Sequence, residues 1–480
     1  MIRAKKPQFA AKKKKYKRRS SSIALVAENL YLNNYNSRAK KIDIGEFDRN
    51  AKLQKLALDL WSRIRLDWNY VATRLSTAVR QERWLNSKER RDLFELLFGM
   101  IRQYRRIDYL LNNAGVLIPP GTTYELARLL IYRLINDEID IVTANNYFKS
   151  IDWQKVIDSN ANLAKEHNMQ KRIAYLHSYP DWLTKRFIKE FNEEAEPLAI
   201  ALNQRANLTL RCNISKISRK SLLERFSEKK ISAEAGQFSD QAIILKSHID
   251  VFGLTEYAEG LFETQDEGSQ LIAALIDAKA NDIVVDVCAG VGGKTFAIAA
   301  TMQNKGSIWA LDIDAKKLAA LDKRARHLDL SIIRTLSTAT DNWPTEIAAL
   351  IGKVDRVLVD APCTGTGALR RNPENRWRLN EQDIGVLAKL QEKLVIRSLS
   401  LLAKGGRLVY ATCSLLQEEN EAVIARVLKR ASNIELVPIN KVVKQQLAAQ
   451  ISDQQGLYLQ TLPHTHGSDG FFAAVLQRVC

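Results

Sequence analysis

Hydrophobic positions recur at helical spacing in the first half of the chain. From about residue 51 they follow steps of three and four, which is typical of one face of a helix: Leu53, Leu56, Leu60, Ile64 and Trp68. A second helix is predicted to begin at Asn86 or Ser87, because Glu89 can complete a capping box with Asn86. Further helices are predicted near 124–134 and 142–148, so this half reads as an all-α bundle.

The pattern changes after about residue 178. Short β-like runs at 208–211 and 242–245 lie among basic residues and predict a small α/β module. From 283 onward, short apolar runs alternate with amphipathic stretches. Strands are predicted near 283–287, 308–311, 332, 357–359 and 408–411, and helices near 295–302, 316–327, 382–402 and 419–429. This alternation predicts a Rossmann-like parallel sheet with helices on both faces and ligands beyond the carboxyl ends of its strands.

Four regions follow from these patterns. We predict a basic flexible arm at 1–45, an all-α domain at 46–175, a small α/β module at 176–250 and a Rossmann-like domain at 251–480. The arm is predicted because residues 1–19 hold ten Lys or Arg and no acidic residue. Such a segment can attract phosphates, or it can be a solvated tail or a targeting address, and its charge does not decide between these readings.

The composition of the chain indicates which class of binding partner to expect. A net charge of +18 makes nucleic acid the first partner to consider. The chain lacks an apolar run long enough for a membrane span, and its five cysteines include no C-x-x-C pair, so we expect a cytoplasmic protein without a membrane or metal site. His464 and His466 favour a turn over a metal site. We also expect a monomer.

The first predicted strand of the Rossmann-like domain runs into a glycine-rich loop, DVCAGVGGKT, at 286–295. A phosphate-binding P-loop would need glycine where Cys288 stands, and a dinucleotide motif would need glycine at Thr295. The loop is therefore predicted to hold an adenosyl ligand without phosphates. Asp312 ends the next strand, where a carboxylate can meet a ribose diol or cap the following helix.

Two further strands are each followed by a cysteine. Cys363 lies in VDAPCTGTG and Cys413 in LVYATCS. Carbon 5 of a pyrimidine is a poor nucleophile, so its methylation needs prior addition of a nucleophile such as a thiolate to carbon 6. Lys294 and the Arg370–Arg371 pair are candidate cations for holding a thiolate, and Asp360 could hydrogen-bond the base edge.

These loops resemble those of the Fmu/Sun family of S-adenosylmethionine-dependent RNA cytosine-5 methyltransferases. The similar segments are DVCAGVGGKT, VDAPCTGTGALRRNPENRW, VYATCSLLQEENE, TQDEGSQ at 264–270 and DGFF at 469–472. The resemblance extends over about residues 178–480. It implies a Rossmann-like catalytic domain, S-adenosylmethionine as cofactor and RNA as substrate.

The resemblance also implies residue roles. Cys413 would be the nucleophile and Cys363 the thiol that assists product release, with Asp360 and Lys294 beside them. The residues implied to contact the cofactor are Cys288, Ala289, Gly290, Val291, Gly292, Gly293, Lys294, Asp312, Asp341 and Asp360. Gly290 and Val291 stand where the family usually has Ala-Pro, which predicts a looser loop and weaker cofactor binding.

The helical half, especially 89–99 and 105–110, resembles the NusB-like domain that precedes this core in bacterial small-subunit ribosomal RNA methyltransferases. That likeness implies that the substrate is 16S ribosomal RNA and that the bundle and the small module bind it. Two other hypotheses remain open from the sequence. One is a P-loop nucleotidase, and the other is an RNA-binding ribosome assembly factor with little or no catalysis.

Overall fold

A computed structural model describes residues 51–115, 121–247, 249–338 and 342–479. The predicted basic arm lies outside this range. The elements described up to residue 203 are all helical. They are helices Ala51–Leu66, Val71–Gln81, Ser87–Asn113, Thr122–Ile135, Ile141–Tyr147, Trp153–Ala164, Met169–Lys171, Asp181–Phe191 and Ala195–Asn203, with short turns Arg172–Leu176 and Asn192–Glu194.

The predicted start of the long second helix is confirmed. The side chain of Asn86 accepts a hydrogen bond from the backbone N–H of Glu89 at 2.9 Å, and Glu89 Oε2 accepts one from the backbone N–H of Asn86 at 2.8 Å. This capping box satisfies backbone donors that a helix terminus otherwise leaves unpaired. Behind it, Leu93, Leu97 and Ile101 are buried in one hydrophobic core.

Two arginines of this helix contact later parts of the chain. Arg102 donates to the carbonyl of Arg370 at 3.1 Å, and Arg105 donates to the carbonyl of Tyr179 at 2.7 Å. The indole of Trp377 donates to the carbonyl of Ile101 at 2.9 Å. The helical region therefore packs directly against the segment that follows Cys363.

The small module contains a four-stranded antiparallel sheet of order β2-β3-β1-β4. The strands are β1 Leu208–Cys212, β2 Ala233–Ala235, β3 Ala242–Leu245 and β4 Phe262–Thr264. The helices near them are Arg219–Glu228 and Thr255–Ala258, with a short turn at Val251–Gly253. The strands predicted at 208–211 and 242–245 are thereby confirmed as β1 and β3.

The larger sheet has eight strands in the order β10-β12-β9-β8-β5-β6-β7, with β11 paired to β12. They are β5 Ile283–Asp286, β6 Ser307–Asp312, β7 Ile333–Ser337, β8 Val354–Asp360, β9 Leu402–Thr412, β10 Ile434–Val437, β11 Leu459–Thr461 and β12 Phe471–Arg478. The associated helices are Glu267–Leu275, Gly293–Thr301, Ala315–His327, Thr345–Ala348, Asn375–Arg378, Glu381–Leu399, Glu421–Arg430, Gln445–Ile451 and Pro463–His466. Short turns lie at Thr366–Ala368, Gln417–Glu419 and Ile439–Lys441.

The expectation of a parallel sheet was correct for the five strands from β9 to the β7 edge. β9, β8, β5, β6 and β7 are parallel, but β12 runs antiparallel to β9, and β10 runs antiparallel to β12. A run of apolar residues indicates that a strand is buried but not which way it runs, so the sequence pattern could not predict the antiparallel direction of β12. Helices cover both faces: Val284 of β5 packs in one core cluster and its neighbour Val285 in another.

Candidate active site

Four adjacent strands deliver polar side chains to one edge of the larger sheet. Asp286 ends β5, Asp312 ends β6 and Asp360 ends β8, while Cys413 directly follows β9. These strands are parallel neighbours, so their carboxyl ends lie together. A cavity of about 440 Å³ opens at this edge. Its lining includes Cys288, Ala289, Gly290, Val291, Gly293, Lys294, Asp286 and Asp360, together with residues of the small module.

The glycine-rich loop is built largely by backbone contacts. Ala289 N–H donates to the carbonyl of Leu311 at 2.8 Å, which ties the loop to β6. Gly290 has φ of 57° and Gly292 has φ of 94°, both in the left-handed region that favours glycine. A Cβ on Gly292 would lie 2.5 Å from the ring of Phe296. Val291, between the two glycines, is 60% exposed.

Asp312 binds this loop. Its Oδ2 accepts from the backbone N–H of Gly290 at 2.9 Å, and its Oδ1 accepts from that of Asp314 at 2.8 Å. Each carboxylate oxygen keeps a second acceptor site, so these bonds leave room for a ribose hydroxyl. Asp341, the other acid expected to contact the cofactor, lies outside the described residues.

Two groups below the loop are strongly affected by burial. Burial raises the pKa of Asp286 to about 7, although its Oδ2 accepts from the hydroxyl of Thr295 at 2.7 Å. The other oxygen, Oδ1, is buried with no hydrogen-bond partner among the described residues. Burial also raises the pKa of Cys288, so this thiol keeps its proton and is unsuited to nucleophilic attack.

Lys294 connects the loop to the cysteine side of the site. Its Nζ lies 2.6 Å from Asp360 Oδ2. Burial lowers the pKa of Lys294, but the charges of Asp360 and the nearby Cys413 outweigh that effect and raise it. Lys294 therefore stays an ammonium ion, as the sequence hypothesis for a cation near the thiols requires.

The two strand-end cysteines lie side by side. Their sulfur atoms are 3.4 Å apart although the residues are fifty positions apart in the chain. The hydrogen bond with Cys413, together with burial, raises the pKa of Cys363 well above its usual range. When one of these thiols ionises, the other therefore retains its proton and can donate to the thiolate.

Arg370 and Arg371 do not serve the thiols. Both guanidinium groups pair with Asp266 and Asp469, with Arg371 Nε 2.5 Å from Asp469 Oδ2 and Nη2 2.8 Å from Asp266 Oδ2. Burial and the neighbouring Asp469 raise the pKa of Asp266. This ion-pair cluster joins the segments recognised in the sequence as TQDEGSQ and DGFF to the one that follows Cys363.

Several site-building residues were not singled out from the sequence. Arg211 of β1 is buried and donates to Gln265 Oε1 and to the carbonyl of Gly293, both at 2.7 Å, so the small module holds the start of the cofactor-loop helix. Glu419 and Asn420 are buried beneath the thiols. They belong to the EENE motif at 418–421, but the sequence does not indicate which of its glutamates is buried.

The described part of the chain has no helix that could span a membrane. Nor do its residues contain a group of three His, Cys, Asp or Glu able to hold a metal ion. His464 Nε2 lies 3.1 Å from Glu194 Oε2, while His466 Nδ1 accepts from the backbone N–H of Leu462 at 2.9 Å.

Comparison with known proteins identifies the family. The family model described as 16S rRNA methyltransferase RsmB/F matches residues 273–477, and a model of the RsmF/B-like ferredoxin-like domain matches 179–252. A Synechocystis protein named "Probable ribosomal RNA small subunit methyltransferase B" is 30% identical over 423 residues, which are 83% of this chain and 93% of that protein. The chain belongs to the RsmB/F methyltransferase family.

A further relative and a solved structure are also similar to this chain. An Escherichia coli protein named ribosomal RNA small subunit methyltransferase B is 29% identical, covering 82% of this chain and 91% of its own. The solved structure of a methyltransferase homolog protein from Pyrococcus horikoshii is 27% identical with a TM-score of 0.55, covering 63% of this chain and 96% of its own. The predicted Rossmann-like domain is confirmed, and the predicted small α/β module corresponds to the ferredoxin-like domain of the family. The NusB-like character of the bundle stays a prediction.

The cofactor of this RsmB/F methyltransferase is S-adenosylmethionine, and the site fits it. The unpartnered Asp286 Oδ1 beside the cavity can take a cationic or hydrogen-bond-donating group. Gly290 and Gly292 let the loop backbone approach a ligand closely. Lys294 is already paired with Asp360 and is not free to bind phosphates, as it would be in a P-loop nucleotidase.

Proposed function

We propose that this protein methylates carbon 5 of a cytosine in 16S ribosomal RNA, with Cys413 as the covalent nucleophile and Cys363 as the group that releases the product. The observation that carries the proposal is the 3.4 Å separation of the two sulfur atoms at the strand edge that also holds the Lys294–Asp360 pair. A single nucleophilic thiol would not require a second thiol in contact with it. The names of the ribosomal RNA methyltransferase relatives support the choice of substrate.

The first step is addition to the ring. The thiolate of Cys413 bonds to carbon 6 of the cytosine, beside the ammonium of Lys294. The displaced electron pair moves to ring nitrogen 3, which takes a proton from the Lys294–Asp360 pair, and carbon 5 becomes nucleophilic. S-adenosylmethionine supplies the electrophilic methyl group.

The second step is release. Once Cys413 is bonded to the ring, its sulfur no longer accepts the Cys363 proton as a thiolate would, so Cys363 can give that proton to solvent, which is the one proton that the overall reaction releases. Its thiolate takes the proton from carbon 5, the carbon–sulfur bond to Cys413 breaks, and the electron pair returns to Cys413. Ring nitrogen 3 gives its proton back to the Lys294–Asp360 pair.

The RNA must present an unstacked base, because stacking hides carbons 5 and 6 from a thiol. We infer that the helical bundle and the small module bind the RNA around the site; their contacts with its loops, through Arg102 and Arg211, support this. The net charge of +18 favours a polyanion. We further infer a monomeric, cytoplasmic enzyme with a NusB-like bundle.

The test is transfer of a tritiated methyl group to 16S ribosomal RNA, followed by bisulfite sequencing of the product. We expect one protected cytosine, and the Cys363→Ala variant should trap a protein–RNA adduct that migrates slowly on a denaturing gel. RNA that is bound but stays unlabelled would instead support a non-catalytic assembly factor. Methylation without any adduct in Cys363→Ala would overturn the release role.

A further inference from the structure

A single buried carboxylate lies beneath both thiol-bearing loops. Glu419 has no exposed surface, and its two oxygens accept four hydrogen bonds from three residues. No arginine, lysine or histidine is paired with this carboxylate in the described structure; its donors are a backbone N–H, two hydroxyls and an amide. A buried carboxylate without an ionic partner needs such donors to offset its desolvation.

On one side these bonds hold the residues that flank Cys363. Thr364 donates to Glu419 through its backbone N–H at 3.0 Å and through its hydroxyl at 2.5 Å. The amide of Gln391 donates to Glu419 Oε1 and to the carbonyl of Pro362, both at 2.9 Å. The positions immediately before and after Cys363 are therefore both tied to the same carboxylate.

On the other side the same carboxylate holds the residue after Cys413. The hydroxyl of Ser414 donates to Glu419 Oε2 at 2.6 Å. The adjacent Asn420 accepts from the hydroxyl of Thr412 at 2.6 Å and donates to the carbonyl of Ser414 at 2.9 Å. Cys413 thus has a second support that is independent of Glu419.

We propose that Glu419 is a positioning residue that sets the distance between the two sulfur atoms, an inference that rests on the proposed function. Glutamine has one acceptor oxygen and one donor nitrogen in place of two acceptor oxygens. With its amide oxygen in place of Oε1, a Glu419→Gln side chain would present N–H groups to the hydroxyls of Thr364 and Ser414, which would have to turn and accept. Two charge-assisted bonds would become weaker neutral ones, and the common anchor of the two loops would loosen.

The two cysteines are not equally dependent on this anchor. Cys413 directly follows β9, whose last residue, Thr412, pairs with Phe472 of β12. Cys363 lies three residues beyond the end of β8, in a loop whose near side is held by Thr364 and Gln391. Further along the loop, Thr366 accepts from the backbone N–H of Leu415 at 2.8 Å and Gly367 N–H donates to the carbonyl of Cys413 at 2.9 Å, so these bonds keep the loop in place but do not hold Cys363 itself. Loss of the anchor should displace Cys363 more than Cys413, so product release should suffer more than addition to the ring.

The experiment follows single-turnover methylation of 16S ribosomal RNA, with adduct and released product separated on a denaturing gel. Glu419→Gln should slow release about tenfold, as expected for loss of hydrogen bonds to a charged group, while adduct formation slows much less. The matched control is Glu418→Gln, since Glu418 precedes it in the same turn but pairs with Arg186. That variant should release product at the normal rate.

A double variant separates positioning from general damage. Cys363→Ala/Glu419→Gln should release product no more slowly than Cys363→Ala alone, because the group that Glu419 positions is already absent. If Glu419→Gln fails to fold, Thr364→Val, which removes one hydroxyl donor, should give the same delayed release. Equal slowing of both steps, or no adduct in Glu419→Gln when Cys363→Ala accumulates it, would overturn the inference. If Cys363→Ala itself gives no adduct, the release mechanism fails, and the inference fails with it.

Discussion

The two halves of the active site are built in different ways. Around Cys363 and Cys413, buried side chains hydrogen-bond one another, and Glu419 gathers four donors. Around the cofactor loop, backbone turns at Gly290 and Gly292 lie beside an open cavity, Val291 is exposed, and Asp286 keeps a buried oxygen with no partner among the described residues. In the cysteine half the protein itself supplies the donors to the central carboxylate, Glu419, whereas in the cofactor half the carboxylate of Asp286 is left for a ligand to satisfy.

This difference suits the two tasks. Covalent chemistry requires reacting atoms held within fractions of an ångström, which favours a dry and fully bonded network. A cofactor that binds and leaves in every cycle needs an accessible loop. Substitutions in the cysteine half should therefore change rates, and those in the cofactor half should change affinity and stability.

Cys413→Ala should change the rate of methyl transfer most while leaving cofactor affinity nearly unchanged, so it distinguishes the two halves best. Methyl transfer should fall by at least about a thousandfold, because the proposed mechanism assigns addition to carbon 6 to Cys413 and only proton removal from carbon 5 to the neighbouring Cys363. Affinity for S-adenosylmethionine, measured by equilibrium dialysis, should stay within about twofold since Cys413 does not line the cofactor cavity. Cys212→Ala is the matched control, because Cys212 is a buried thiol in the small module. Retained methylation in Cys413→Ala would refute the assignment of the nucleophile.

Lys294 is where the two halves meet, so Lys294→Met should affect both rate and affinity. It begins the helix after the cofactor loop yet pairs with Asp360 on the cysteine side. Breaking a largely buried ion pair costs a few kcal/mol, which corresponds to a loss of about a hundredfold in methyl transfer. Steady-state kinetics should show lower kcat and higher KM for the cofactor, with the exposed Lys323→Met as control. A change in KM alone would confine Lys294 to the cofactor half.

Much of this arrangement could be predicted from the sequence because helix caps and strand ends depend on residues close together in the chain. The capping box at Asn86 and the strand ends at Asp286 and Asp360 follow from neighbouring residues, and structure confirmed those elements. The partners of Arg370 could not be predicted in this way. Asp266 and Asp469 lie about a hundred positions away on either side, and only folding brings them to it.

The reversal of β12 and the inward turn of Glu419 escaped prediction for the same reason. Strand direction depends on how the chain crosses the sheet, which the apolar run at 471–476 does not record. Three glutamates occur within four positions at 418–421, and the backbone of a short turn decides that Glu419 is buried while Glu418 faces Arg186. Such choices are made by tertiary packing.

The ionisation of Asp286 should affect the free energy of unfolding and not the methylation rate, and it concerns only the cofactor half of the site. Its pKa is raised from an ordinary value near 4 to about 7, so the folded protein holds this proton more tightly than the unfolded chain. Stability contributed by the group is therefore lost as pH rises from about 4 to about 7. Relative to the wild type, Asp286→Asn should gain roughly 4 kcal/mol across that window and no more above it. Urea unfolding at a series of pH values measures the difference, and a pH-independent difference would show that Asp286 ionises normally.

The smallest effect should come from Gly290→Ala. Gly290 has φ of 57°, but a Cβ there would meet no atom of the described residues within 4 Å, so the expected cost is left-handed backbone strain of about 1 kcal/mol. Gly292→Ala is the matched comparison: it adds contacts of 2.5 Å to Phe296 and 2.7 Å to Leu321, and should lower the free energy of unfolding several times more. Thermal unfolding and cofactor dialysis of both variants would test whether the loop is loose at Gly290, as its departure from Ala-Pro predicts. Equal losses at the two glycines would mean that Gly290 is as tightly packed as Gly292, and the contrast between an open cofactor half and a dense cysteine half would no longer hold at this position.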